Sequence, residues 1–243
     1  MRLDVVLLER GLAPSRSKAK EMILNGAVTY NGVVVTRPAI EVAEEDELAV
    51  LPNDLQRYVG RGGLKLEGAL DRFGVSPQDL VCADIGASSG GFTDCLLSRG
   101  ARLVYAIDSG RDQLHPSLRE NKAVVVMEET NARYLKKEMF DPPVSFVVMD
   151  VSFISQTLLH QCVADILSEG GVFISLIKPQ FEVGRSGLNK QGIVRNERLR
   201  NEAVRTVTQS AESFGFVLEG VIPSPITGGD GTEEFLAYFL KPD

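Results

Sequence analysis

Residues 81–94 read Val81-Cys82-Ala83-Asp84-Ile85-Gly86-Ala87-Ser88-Ser89-Gly90-Gly91-Phe92-Thr93-Asp94, and this stretch decides the fold. A short apolar run gives way to a glycine-rich turn and then to residues that open a helix. Gly86, Gly90 and Gly91 let the backbone approach a ligand closely. The N–H groups of a helix start favour an anionic group. Asp108 closes the next apolar run, where a carboxylate suits the two hydroxyls of a ribose. The pair of features points to a nucleoside cofactor at the end of the first two strands.

Outward from this loop the pattern alternates. Val81–Ile85, Leu103–Ile107, Ala123–Met127, Ser145–Met149, Val172–Ile177, Phe216–Ile222 and Phe235–Leu240 read as strands. Helices fit at 91–99, 156–168 and 197–214, with Gly170-Gly171 and Gly215 ending the last two. Apolar runs joined by helices require a mostly parallel sheet covered on both faces. Only a loop joins the last two strands, so they pair antiparallel. Seven strands ending in such a pair outline a Rossmann-like Class I methyltransferase rather than a dehydrogenase. The loop agrees. A dinucleotide fingerprint needs glycine at 86, 88 and 91, and position 88 is serine. A short-chain reductase needs Tyr followed four residues later by Lys, and none of the 5 tyrosines has it.

Charged residues stand where strands end or the chain turns. Lys65 follows Arg61-Gly62-Gly63-Leu64, Asp150 closes Phe146–Met149, Lys178 closes Phe173–Ile177, and Glu234 opens the final strand. In open α/β sheets these strand ends line the ligand crevice. The segment from Glu182 to Glu197 carries Arg185, Lys190 and Arg195 among three glycines and one serine, and reads either as a surface loop or as a lid that meets a nucleic-acid backbone. His115 and His160 carry no motif.

Residues 1–50 differ in character. Asp4–Arg10 and a segment from Ser15 or Ser17 to about Asn25 form two helices, and Asn31-Gly32 turns a hairpin between Ala27–Tyr30 and Val33–Val35. Leu48–Val50 reads as a further strand. Residues 51–63, with Pro52, Gly60, Gly62 and Gly63, read as a linker, and a helix over Leu64–Phe73 begins the second domain, 64–243. The formal charge of −7 argues against a nucleic-acid partner until it is divided: residues 1–40 carry +3 and the rest −10. Ser15-Arg16-Ser17-Lys18-Ala19-Lys20 gathers hydroxyls, helix-start N–H groups and cations, as phosphate contacts require.

The remaining composition is that of a globular chain, 44% apolar and 24% charged over 243 residues. Three cysteines without paired or metal spacing fit a reducing cytoplasm. No signal peptide or membrane-length apolar run is present, and no metal site is expected.

Residues 1–50 resemble an S4 RNA-binding domain on Arg2-Leu3-Asp4, Leu7, Gly11-Leu12, Ser15-Arg16, Ala19, Ile23, Gly26, Val28, Asn31-Gly32, Pro38 and Asp46. The resemblance implies RNA contacts from Arg2, Arg16, Lys18, Lys20 and Arg37. The stretch Asp84–Gly90 resembles the S-adenosyl-L-methionine motif. It implies that Asp84, Gly86, Ala87, Ser88, Gly90, Gly91 and Phe92 surround the methionine part, that Asp108 holds the ribose and Asn131 meets the adenine, with Asp150 also at the cofactor. Lys65, Asp150, Lys178 and Glu234 resemble the catalytic tetrad of RrmJ-like ribose 2′-O-methyltransferases.

With Arg57-Tyr58-Val59, Arg61–Leu66 and Lys178-Pro179-Gln180-Phe181-Glu182, the whole chain resembles the TlyA family of ribosomal RNA 2′-O-methyltransferases, whose members are often called hemolysins. That family implies cytidine as target, with the large subunit favoured, and further RNA contacts from Arg57, Arg61, Arg185 and Lys190. Glu129 departs from the family's usual arginine. The resemblance implies attack of a ribose 2′-hydroxyl on the sulfonium methyl group. Lys178 then acts either as the base or as a cation beside the developing alkoxide. The competing readings are a non-catalytic ribosome-assembly factor and a pore-forming hemolysin.

Overall fold

The computed structural model describes residues 1–24, 26–51, 57–228 and 231–243. Asn25, expected at a helix end, and Pro52, expected in the linker, lie outside them.

In the N-terminal region α1 (Leu3–Glu9) packs on α2 (Arg16–Leu24), and a three-stranded antiparallel sheet follows, with β1 (Val28–Tyr30) between β2 (Val33–Val35) and β3 (Leu48–Val50). Asn31 (φ 49°) and Gly32 (φ 78°) both occupy the left-handed region that a two-residue hairpin demands. Leu3, Leu7, Ala19, Ile23 and Val28 are wholly buried and form a core separate from that of the larger region.

The larger region begins with α3 (Gly62–Phe73), two residues earlier than the sequence suggests. Then come β4 (Val81–Ile85), α4 (Gly91–Ser98), β5 (Leu103–Ile107), α5 (Pro116–Arg119), β6 (Val124–Met127) and β7 (Val144–Met149). After them run α6 (His160–Ile166), β8 (Leu167–Ile177), α7 (Pro179–Glu182), α8 (Glu197–Ser213), β9 (Val217–Pro223) and β10 (Phe235–Leu240). The seven-stranded sheet has the order β6-β5-β4-β7-β8-β10-β9. β4 through β8 pair in parallel, while β10 runs antiparallel to both neighbours. The sheet is apolar on both faces because helices cover both: Phe146 and Leu66 meet on one side, Phe173, Phe239 and Val207 on the other.

One helix is shorter than expected. The 156–168 segment is a single 3₁₀ turn over Gln156–Leu159 followed by α6, and the chain is already in β8 at Leu167. Gly170-Gly171 therefore does not end a helix. Gly170 takes φ 69° inside the irregular start of the strand and donates its N–H to the Lys241 carbonyl.

Topology gathers the chemistry. The register Phe235↔Ile177 places Glu234, just before β10, beside Lys178, just after β8. Asp150 follows β7 on the same edge, next to the glycine loop after β4.

Candidate active site

Gly86 and Gly90 hold φ of 86° and 95°, and Ser88 follows the same bend at 48°. A side chain at 86 would meet the Asp150 carbonyl at 2.3 Å, so only glycine lets the loop lie against β7. The Ser88 N–H donates to Asp108 Oδ2 at 2.8 Å and the Gly110 N–H to Oδ1 at 2.7 Å. Asp108 thus pins the loop to the end of β5 while its carboxylate stays half exposed in a cleft.

That cleft, of about 340 Å³, is lined by Gly86, Ser88, Asp108, Asn131, Asp150 and Phe153 among others. A second, of about 240 Å³, is lined by Arg61, Ala87, Gly91, Phe92 and Lys178, with Leu24 and Thr36 of the N-terminal region as its far wall. Gly86, Ser88, Asp150 and Ser152 line both. The two spaces therefore meet at Asp150.

One ion pair stands at this junction, and a second, buried pair lines neither cleft. Lys178 Nζ lies 2.5 Å from Asp150 Oδ1 and donates to Ser152 Oγ at 2.9 Å. Lys65 Nζ, on α3, lies 2.5 Å from Glu234 Oε2, both side chains being almost wholly buried. Removing one partner of such a pair strands the other's charge, so each pair holds together as a unit.

Residues 58–241 match the FtsJ-like methyltransferase family, and residues 1–48 match the S4 domain. The chain belongs to the FtsJ-like methyltransferase family. Among its relatives, the 16S/23S rRNA (cytidine-2′-O)-methyltransferase TlyA of Mycobacterium tuberculosis is 41% identical, over 98% of this chain and 88% of that one. Hemolysin A of Brachyspira hyodysenteriae is 43% identical over 99% of this chain and 100% of that one. A solved structure from Streptococcus thermophilus, described as a hemolysin, superposes with a TM-score of 0.79 at 43% identity, covering 100% of this chain and 89% of the other.

The first cleft brings together the Asp108 carboxylate, the glycine loop and Asn131, a donor set that fits S-adenosylmethionine, the methyl donor of this family. The expected cofactor residues divide between the clefts. Gly86, Ser88, Asp108, Asn131 and Asp150 line the first; Ala87, Gly91 and Phe92 line the second. Gly90 packs on Leu114 and Leu118 instead. Asp84 lines neither cleft. It is fully buried, and its Oδ2 accepts from Thr93 Oγ1 at 2.7 Å, tying β4 to α4 from beneath. Burial pushes its carboxyl up to about 7.

The expected RNA contacts are partly engaged within the protein. Arg2 and Arg16 both hold the buried Asp4, at 3.0 and 2.9 Å. Lys18 pairs with Glu21, and Arg57 pairs with Glu67 and lies over the Tyr58 ring. Arg61 donates to the Thr227 carbonyl at 2.7 Å and covers Gly26. Lys20, Arg37, Arg185 and Lys190 are exposed or half exposed on the surface.

Four contributors escape sequence reading. Phe153 is 92% exposed at φ 65°, and its ring lies 5.2 Å from Phe181. Its only signal was position, three residues after Asp150. Leu24 and Thr36 reach the cleft only through tertiary packing. Glu128 accepts the N–H groups of Asp112, Gln113 and Leu114 and pairs with Arg119. The Arg119 hydrogen bond, then the backbone donors, hold its carboxyl down at about 2. It shapes the turn beside Glu129, which takes φ 52° and points to solvent.

Proposed function

We propose that this chain methylates the 2′-hydroxyl of a cytidine ribose in ribosomal RNA, with large-subunit RNA as the favoured substrate, in the cytoplasm. The observation that carries the reading is the Asp150–Lys178 pair standing where the two clefts meet. One cleft suits the cofactor, and the other has room for a nucleoside between the FtsJ-like domain and the S4 domain. The activity named for the Mycobacterium relative agrees with it.

Bound S-adenosylmethionine supplies an already activated methyl group, so the chain's main task is positioning. In this reading Asp108 and Asn131 hold the nucleoside and the Gly86–Gly91 loop holds the methionine part. Lys178 sits beside the ribose oxygen. Its contacts with Asp150 and Ser152 support the role of a fixed cation that stabilises negative charge growing there. Lys65 and Glu234, paired and buried behind the clefts, back the site without lining it. Phe153, exposed on the rim of the first cleft, offers a stacking surface for a base. Arg2, Arg16, Lys18, Lys20 and Arg37, with Arg57, Arg61, Arg185 and Lys190, are the proposed backbone contacts.

No helix among the described residues is long and apolar enough to cross a membrane. The test is transfer of labelled methyl from S-adenosylmethionine into ribosomal subunits and into naked RNA, followed by mapping of the modified ribose. Incorporation at a cytidine is the expected result. Demonstrated cofactor binding with no label in any RNA overturns the reading in favour of a non-catalytic RNA-binding factor.

A further inference from the structure

Lys178 and Asp150 come from different strands, and each is followed by a loop that has to be held for the pair to keep its geometry. After Asp150 the chain runs through Ser152 and Phe153 to Ser155, then enters the 3₁₀ turn Gln156–Leu159. After Lys178 it enters α7, a single turn ending at Glu182. The two segments are tied by one side chain. Glu182 Oε2 accepts from Ser155 Oγ at 2.5 Å, and Oε1 accepts from the Gln156 N–H at 3.0 Å. On the core side Gln156 Nε2 donates to the Leu176 carbonyl at 3.2 Å, and its Oε1 accepts from Ser175 Oγ, both on β8. On the cleft side Phe153 leans on Phe181, the neighbour of Glu182.

From this geometry we infer that Glu182 is a positioning residue: its carboxylate clasps the segment after Asp150 to the segment after Lys178 and so sets the spacing of the pair and the placement of Phe153. It touches neither cleft. Half buried, it is raised by burial, while the Ser155 and Gln156 donors oppose the rise. In its absence the Gln156 N–H loses its partner, and Ser155 Oγ keeps only Thr157. The inference rests on the proposed reaction for its kinetic consequence, but the clasp itself is testable without it.

Three variants separate the possibilities. Glu182→Gln keeps the clasp: its carbonyl accepts the Gln156 N–H, and its amide donates to Ser155 Oγ, whose own proton turns to Thr157 Oγ1, 2.7 Å away. Glu182→Ala removes it. Ser155→Ala removes one of its two bonds. Hydrogen exchange at the Gln156 amide is expected to accelerate at least about tenfold in E182A and to stay near the native rate in E182Q. In methyl transfer to ribosomal RNA, E182A is expected to lose about 100-fold in kcat with little change in KM. E182Q and S155A are each expected to stay within about tenfold of native kcat.

Native exchange and native kcat in E182A overturn the inference. So does an equal loss in E182A and E182Q, which assigns the effect to charge. If E182A fails to fold, the S155A and E182Q arms decide alone: the clasp stands if S155A speeds Gln156 exchange while E182Q does not, and falls otherwise. If the native chain transfers no methyl to RNA, the proposed function has failed, and the exchange measurements still decide the clasp.

Discussion

Lys178 Nζ is held by two oxygens, Asp150 Oδ1 at 2.5 Å and Ser152 Oγ at 2.9 Å, and this shapes what its replacement does. Lys178→Ala is expected to lower kcat by about 10²–10³-fold, the usual loss when one charge-stabilising donor is removed. Lys178→Arg keeps a cation and is expected to retain part of the turnover; a folded but inactive arginine variant would assign Lys178 as the base. Asp84 acts on stability instead. Its folded carboxyl is pushed from 3.8 up to about 7, so the unfolded chain loses this proton first as pH rises. Stability therefore falls between about pH 4 and 7 through this group. Asp84→Asn is expected to remove that slope from the melting temperature.

Among the elements, α6 and α8 share a second buried titratable group. His160 is fully buried, its Nδ1 lies 2.9 Å from Ser210 Oγ, and its ring meets the edge of Phe173. Burial pushes it down from 6.5 to about 4. The unfolded chain takes up this proton first as pH falls, so stability through His160 is lost between about pH 6.5 and 4. The slope is opposite to that of Asp84, and the two partly cancel in the native chain. In His160→Gln the melting temperature is expected to rise more steeply on acidification from pH 6.5 to 4 than in the native chain; an unchanged profile would show that His160 does not carry the effect.

The strands were legible because burial on both faces writes continuous apolar runs, as in Val81–Ile85 and Phe235–Leu240, whose observed ends match those read from the sequence. The start of β8 was not. Gly170-Gly171 signals a stop, and only the distant Lys241 pairing explains why the strand continues through it. Asp150 and Lys178 were legible as charges closing apolar runs. Phe153 and Glu182 were not, because an aromatic in a loop and an acid after proline acquire meaning only from the partner segment across the cleft.

For the whole molecule, the decisive fact is that the N-terminal region both carries the basic residues and walls the second cleft through Leu24 and Thr36. Charge alone, +3 on residues 1–40 against −10 elsewhere, makes arbitrary RNA a poor ligand and leaves affinity to a structured substrate that meets several contacts together. Lys20→Glu, on the exposed face of α2, is expected to weaken RNA binding and to reduce its salt slope by about 1, with cofactor affinity unchanged. Binding isotherms over a salt series check this. A slope equal to the native one would remove Lys20 from the RNA face.

Asp4 gives that face one further property. Its buried carboxylate fixes Arg2 and Arg16 from two helix starts at once, so both guanidiniums surrender their rotamer freedom when the domain folds. If they meet RNA as proposed, it finds them already ordered, and less entropy remains to be lost at docking. On the proposed reading, the same carboxylate that mutes two positive charges stiffens them into a template that rewards a fitting phosphate spacing.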